Sequence, residues 1–534
     1  MSIQQGLSGL IAAMLLVLIP AGTAFSQESS DPAQVRPLAE TASRPARSEE
    51  ALISRFVSGA LRLDADTREI RIPFSIAPNA RPDNIELLLS AAPAGARASG
   101  RIEAFVNRSR AVELQPRSEP FEARFALFSD DLRAGANVLV LRLVGEPADG
   151  WALDADASRL RVAAAPAGGY AALDEIESAL AADFAAPRRV HIETSAAGED
   201  ELAVAALIAQ GLALRMGEAP ILVRDAGVAE LTITAELRPG AAAPAIDLTG
   251  PSELRLSAGG AGSLIAAARL FAARSMQAHS VRFDMTSALT AARLDRPHAA
   301  ARNQGALEAL AAGGAPFGAD QGGRAAVVIA ADDPEARMAS LAVVARAALA
   351  SGSAWLYAWY GDDVANAPLN HDLLVLGPQE RLDPRLIASA PPEVRAAANA
   401  AANRAPRDRR FYGSTAYADA DERNAQITGV AALFDQADGR RLALITAPEG
   451  ADYARAVKRL ARSGLWDGME GRAVVWDEAG VTAFGPSQAP RFSAEWASRL
   501  VRANDEWLAL GAFSLAVLLL LLGRGVNRTA TRPE

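Results

Sequence analysis

Residues 189–223, RVHIETSAAGEDELAVAALIAQGLALRMGEAPILV, read as strand, helix, strand. Arg189 to Thr194 is a short strand, Glu199 to Met216 is a helix, and Gly217 closes that helix as a C-cap. Ile221-Leu-Val223 then resumes the strand pattern. Such a βαβ run implies a parallel sheet. The pattern continues outward. Leu231-Thr-Ile-Thr234 is a further strand, and Leu254-Arg-Leu256 leads through Gly259-Gly260-Ala261-Gly262 into a helix over Ser263 to Arg274.

A second αβ unit follows a weakly patterned stretch, 281–323. Ala325 to Ala330 is its first strand, and Glu335 to Leu349 is helical. Leu373-Leu-Val-Leu-Gly377 and Leu442-Ala-Leu-Ile-Thr446 are buried strands, the latter followed by a helix over Ala451 to Ser463. Ala473-Val-Val475 and Val481 to Phe484 close as a hairpin turning at Asp477 to Gly480. The two units, 166–280 and 324–488, share a plan without a tight sequence repeat. On the other side, residues 51–165 read as β. Ile70, Ile72, Phe74 and Ile76 alternate with polar or small residues. Short strands near residues 85–89, 102–106, 121–125 and 138–143 follow between turn residues, the rhythm of a sandwich or jelly roll. Residues 27–50, poor in apolar side chains, read as a linker.

The two ends are apolar. Leu10 to Ile19, then Pro20 and small residues, with Ala24-Phe25-Ser26 as a cleavage site, make 1–26 a signal peptide. Trp507 to Gly523 reaches about 26 Å as a helix, the lower limit for a membrane span. Arg524, Arg528 and Arg532 follow it, which places the 524–534 tail in the cytoplasm and the body outside. Over 490–505, Phe492, Trp496, Leu500 and then Trp507 recur at helical spacing. This is an amphipathic helix for a membrane surface or a partner, or a capping helix of the last globular unit.

Composition excludes several chemistries. The chain has no Cys, so no disulfide, thiolate metal site or Cys nucleophile is available. Its net charge is −9 and it has no basic block, which argues against nucleic acid. The four His are scattered without metal-ligand spacing.

The second αβ unit resembles the periplasmic regulatory B subunit of bacterial cellulose synthase (the BcsB family). The resembling stretches are Asn370 to Gly377, Gly429 to Phe434, Arg441 to Ala447, Met469 to Val475 and Val481 to Phe484. In the β region, Val106-Asn107-Arg108 and Leu132 to Leu139 resemble two further family stretches. The resemblance rests on their order and covers about Ala51 to Arg524. It implies a multidomain α+β chain: an N-terminal β-sandwich, jelly-roll-like and carbohydrate-binding, then two flavodoxin-like αβ domains, an amphipathic helix and a single transmembrane helix. Residues 281–323 are too few for the second sandwich the family carries, so this is a compact version. The resemblance also implies a non-enzymatic role without a cofactor. The partners it implies are a multi-span processive glycosyltransferase of the cellulose synthase A type, the nascent β-glucan and the inner membrane. Cyclic di-GMP, a cytosolic regulator, would act on that catalytic partner.

Several motifs bear on chemistry. Gly259-Gly260-Ala261-Gly262 stands where a phosphate meets a helix start, but it does not complete GxGxxG. Asp-Ala-Asp occurs at Asp64/Asp66, Asp154/Asp156 and Asp419/Asp421 without the partners a glycosyltransferase needs. Trp355, Tyr357, Trp359 and Tyr360 form the densest aromatic cluster, read as a glycan contact or as core and interface packing. Trp151 divides the same way. Phe492, Trp496, Leu500 and Trp507 are the expected docking residues. The expected function is a membrane-anchored, non-catalytic periplasmic subunit of a β-glucan synthase. An exported glycan hydrolase or esterase, and a generic envelope scaffold, remain as alternatives; no GxSxG elbow supports the enzyme.

Overall fold

The computed structural model describes residues 46–485, apart from 58–60, 96–99, 115–118, 128–130, 146–149, 167, 242, 274–279, 286–305, 405–428, 448–449, 463 and 478–479. The expected signal peptide, amphipathic helix, membrane span and tail lie outside the described residues. Among the described residues no helix is long and apolar enough to cross a membrane.

Ten strands form two antiparallel sheets. They are β1 (Arg47–Leu52), β2 (Leu61–Leu63), β3 (Glu69–Ile76), β4 (Ala80–Pro93), β5 (Arg101–Val106), β6 (Ser109–Leu114), β7 (Phe121–Ala126), β8 (Gly135–Val144), β9 (Trp151–Leu153) and β10 (Arg159–Pro166). The first sheet is built on β4. Leu87 pairs with Leu160 of β10 on one side and with Phe125 of β7 on the other. Ala91 likewise separates β9 from β7, so β9 and β10 lie on one side and β7 is an edge. The second sheet runs β3-β8-β5-β6. Ile85, Leu87 and Leu89 of β4 face Ile72, Phe74, Leu139 and Leu141 across a closed core. The period-2 alternation in the sequence puts those side chains on one face.

Strand β1 corrects the reading of 27–50 as linker throughout. Its sequence, RSEEAL, has no apolar alternation because it is an edge held by charge. Glu50 pairs with Arg159 at 2.8 Å, and Glu49 accepts the Ala185 N–H at 3.0 Å.

The first αβ lobe comprises α1 (Leu173–Leu180), β11 (Arg189–Thr194), α2 (Glu199–Met216), β12 (Ile221–Leu222), β13 (Leu231–Leu237), β14 (Ala245–Gly250), β15 (Glu253–Ala258), α3 (Ala261–Ala273) and β16 (Arg282–Asp284). Gly217 ends α2 at φ +67°, the left-handed conformation glycine adopts without strain. The second lobe comprises α4 (Leu307–Gly313), β17 (Ala325–Ile329), α5 (Pro334–Ala350), β18 (Trp359–Gly361), β19 (Asp372–Leu376), α6 (Pro384–Ala388), α7 (Pro392–Arg404), β20 (Gly429–Asp435), β21 (Arg441–Thr446), α8 (Gly450–Arg462), β22 (Ala473–Asp477) and β23 (Gly480–Phe484).

Counted within each lobe, both sheets have the strand order 2-1-3-5-4-6, with β23 added at the end of the second. Strands 2, 1, 3 and 5 are parallel in each, and strand 4 runs against them. This corrects the flavodoxin-like expectation, whose order is an all-parallel 2-1-3-4-5. The reason is local. Pro251 and Ser252 alone separate β14 from β15, and a connection that short joins only antiparallel strands.

The lobes differ in their layers. Alternate residues of β17 and β19 divide between two cores, one with α5 and α8 and the other with α6 and α7. Their sequences, AAVVI and DLLVL, are accordingly apolar almost throughout. In the first lobe β13 reads LTITAEL. Leu231, Ile233 and Ala235 are buried, while Thr232 and Thr234 face a half-exposed side.

The sandwich is fastened to the first lobe by Phe184, whose ring lies 6.0 Å from both Phe74 and Phe56. Asp183 accepts from the Ser75 N–H at 2.9 Å and its hydroxyl at 2.8 Å. Glu230 binds Arg47 of β1, Arg189 at 3.0 Å and the Arg188 N–H at 2.8 Å.

Candidate functional site: the outer face of the sandwich

A recess on the sandwich follows from small side chains on a pleated surface. With Ile85, Leu87, Leu89 and Ala91 turned inward, β4 presents Asn84, Glu86, Leu88, Ser90 and Ala92 outward. Ser90 stands opposite Glu122 of β7, and Ala92 opposite Ala152 of β9. Neither Ala nor Ser fills the surface, so a trough of about 450 Å³ opens there, with Glu122 on one rim and Asp154 on the other. Below it, Phe121 meets the buried Trp151 edge to face at 6.2 Å, giving the floor a rigid base. Farther along β4, Asn84, Glu86, Arg161 and Ser48 line a second recess of about 190 Å³. Arg161 donates to Ser48 at 2.6 Å and lies 3.6 Å from Glu86. From Asn84 to Ala92 the face extends roughly 27 Å at 3.3–3.4 Å per residue. Sequence reasoning missed this surface because its residues are ordinary outward positions; only the inferred alternation of β4 could have pointed to them.

The aromatic residues singled out from the sequence lie elsewhere. Trp355 is 0% and Tyr360 3% exposed, so neither offers a ring face to a sugar. They are part of the contact between the lobes. Gln210 of α2 donates to the Tyr360 hydroxyl at 2.8 Å and accepts the Trp355 N–H at 2.7 Å. Tyr360 donates onward to the Trp355 carbonyl at 2.9 Å, and the Trp355 indole donates to Ser351 at 3.1 Å. Burial pushes the Tyr360 hydroxyl far above the ordinary phenol range, against the opposing Gln210 hydrogen bond and the charge of Arg269, so it stays neutral. Trp151, 1% exposed, is also core. The glycan-contact reading is corrected for these three on the ground of access. Tyr357 and Trp359 are half-buried, and Arg269 lies over the Tyr357 ring at 5.5 Å. Phe492, Trp496, Leu500 and Trp507 lie outside the described residues.

The remaining motifs are structural. A Cβ at Gly259 would come within 3.0 Å of the Ala241 carbonyl, so the glycine there allows two loops to approach. Asp64 accepts the backbone N–H groups of Asp66 at 3.0 Å and Thr67 at 2.8 Å, a local turn, and Asp154 does the same for Asp156 and Ala157. Asp419 and Asp421 lie outside the described residues. Among the described residues no cluster of His, Asp and Glu is placed to hold a metal ion.

The two β-region stretches quoted above, around Asn107 and Asn137, do meet. Asn107 sits at φ +56° in the β5–β6 turn and accepts the Val138 N–H at 3.0 Å. It donates to Asn137 at 3.0 Å and to the Asp131 carbonyl at 2.6 Å. Asn137 in turn binds the Arg133 and Gly135 carbonyls at 2.7 and 2.9 Å. The pair locks a corner of the sandwich.

The class this part of the chain defines is a two-sheet antiparallel β-sandwich with an open outer face, followed by twin αβ lobes. No family model matches the chain, and no curated protein matches it. Among solved structures it is similar to the CBM36-1 domain of a multidomain xylanase from the hindgut metagenome of Trinervitermes trinervoides. That match has 7% identity and a TM-score of 0.16 over 22% of this chain and 96% of the other. The C-terminal CBM6 of LamC, a marine laminarinase from Zobellia galactanivorans, matches at 11% identity and TM-score 0.16, over 22% and 98%. A family 35 carbohydrate-binding module from Clostridium thermocellum matches at 15% identity and TM-score 0.16, over 22% and 98%. At these scores the likeness is one of local outline and decides no ligand.

Proposed function

We propose that this chain is a non-catalytic, glycan-contacting subunit of a bacterial β-glucan synthase. The sandwich holds the emerging polymer, and the paired αβ lobes serve as a platform beside a membrane-embedded glycosyltransferase. The observation that carries the reading is the outer face of β4. Its trough is floored by the small side chains of Ser90, Ala92 and Ala152, its rims hold the carboxylates of Glu122 and Asp154, and a second, polar recess lies farther along the same strand. An extended polysaccharide needs such a surface: room for flat rings along a line, and hydrogen-bond partners at the sides. The largest aromatic rings nearby are buried beneath it, so recognition would be polar and weak, which suits a chain that must keep moving.

The resembling stretches from Asn370 to Phe484 support the synthase setting. The anchor and docking helix belong to the same proposal. Two measurements test it. A tag on the C-terminal tail, with mass spectrometry of the proteins co-purified in mild detergent, should recover a multi-span processive glycosyltransferase. Full-length protein should also be slowed in gels containing soluble β-glucan, and Ala92→Trp, which fills the trough, should abolish the delay. Recovery of the chain alone, with retardation unchanged in Ala92→Trp, overturns the proposal.

A further inference from the structure

The two lobes meet reciprocally: α2 packs on β18, and α5 packs on β12. The two halves of this meeting are filled differently. On the β18 side, Trp355, Tyr360 and Gln210 close the space with buried rings and hydrogen bonds. On the β12 side a cleft of about 280 Å³ opens between α2 and α5, at the carboxyl ends of β11 and β12. Ligands of parallel αβ sheets bind at that edge. The volume is just below the roughly 300–1,000 Å³ of drug-sized sites, so it fits a small molecule.

The lining specifies the chemistry. Leu202, Leu222, Met338 and Leu341 form an apolar floor. On the wall, Arg337 and Glu201 neutralise each other at 3.1 Å. That leaves Arg224 and Glu193, both exposed at the mouth and neither in an ion pair among the described residues. Strands β11 and β12 run in parallel register, with Val190 beside Leu222, which brings Glu193 and Arg224 to the same end of neighbouring strands. Among the described residues the cleft therefore has one unpaired cation and one unpaired anion above an apolar pit.

We propose that it binds a small zwitterion with an apolar side chain, of the class of the apolar α-amino acids. The carboxylate meets Arg224, the ammonium meets Glu193, and the side chain enters the floor. This site is separate from the sandwich trough, and its test does not depend on glycan binding.

The experiment is fluorine NMR of 4-fluoro-L-phenylalanine titrated with the full-length protein. 4-Fluorophenylacetate, which lacks the ammonium, and 4-fluorophenethylamine, which lacks the carboxylate, serve as comparison probes. The amino acid is expected to bind with a dissociation constant below about 1 mM, and each comparison probe about tenfold more weakly. Arg224→Gln should erase the advantage over the amine, Glu193→Gln the advantage over the acid, and Leu222→Trp all binding. Absence of binding, equal binding of the three probes, or undiminished binding in Leu222→Trp overturns the proposal. Should Leu222→Trp fail to fold, the two rim variants, at exposed positions, carry the test; unchanged discrimination in both refutes it.

Discussion

Gln210→Leu is the most informative single change at the contact between the lobes. Gln210 is fully buried and makes three hydrogen bonds: to the Tyr360 hydroxyl, to the Ala206 carbonyl at 3.1 Å, and from the Trp355 N–H. Leucine is no smaller than glutamine, so the cost is electrostatic rather than a cavity. The Trp355 N–H loses its acceptor in a closed site, which costs about 1–3 kcal/mol. Tyr360 still donates to the Trp355 carbonyl, so its loss is smaller. The total is expected at about 2–4 kcal/mol. Tyr360→Phe should cost about 1–2 kcal/mol, because Gln210 keeps its bond to Ala206. Both changes break the same 2.8 Å bond. The double mutant should therefore cost about 1 kcal/mol less than the two separate changes together. Native-state hydrogen exchange of the peptide containing Trp355 gives a local reading. A loss of about 2–4 kcal/mol corresponds to exchange about 30- to 700-fold faster. Unchanged protection in Gln210→Leu, or strict additivity in the double mutant, refutes the role assigned to Gln210.

Further outcomes are expected at the fastenings of the sandwich. Burial alone would raise the pKa of Glu230, but the Arg47 hydrogen bond, the Arg188 N–H and the charges of Arg47 and Arg189 more than offset it, and the carboxyl sits below its usual range. The stability it contributes is present above the unfolded pKa of about 4.3 and disappears as pH falls through the lower folded value. Glu230→Gln should lower the thermal midpoint at pH 7 and flatten its decline between about pH 5 and pH 3; an equally steep decline contradicts this account. At Asn107, Ala should cost about 2–4 kcal/mol and Gly about 1–2 kcal/mol in urea titrations, because both lose the side-chain bonds and only Ala keeps the φ +56° strain. Equal costs would place the whole effect in the hydrogen bonds. Tyr453→Phe should cost about 1 kcal/mol through the lost 2.7 Å bond to Ser340, with no effect on the cleft or the trough.

Much of the framework is legible in periodicity. Helix α2 and its Gly217 cap coincide with the sequence reading, because an apolar run of that length ended by glycine has few alternatives. The inward residues of β3, β4 and β8 follow from alternation. Strand β1 is not legible, since its partners at Arg159 and Arg188 lie more than a hundred residues away. The reversed β14 and β20 are not legible either, because strand direction is fixed by how a chain returns and not by its composition. The Trp355–Tyr360 cluster shows the limit most plainly: sugar stacking and core packing both call for flat rings, and only the neighbouring Gln210 tells them apart. The trough is built from Ser90, Ala92 and Ala152, residues whose meaning lies in the space they leave.

The common strand order of the lobes has a further consequence. Two separate copies of one such lobe, meeting through the same helix about a twofold axis, would carry either two plugged crevices or two open ones. Joined in one polypeptide, the halves are free of that constraint. Each side of the seam can change without its image changing, so one side can be specialised for cohesion and the other for recognition. Covalent linkage also makes their association independent of protein concentration, so neither surface must be strong enough to bring together two chains free in solution.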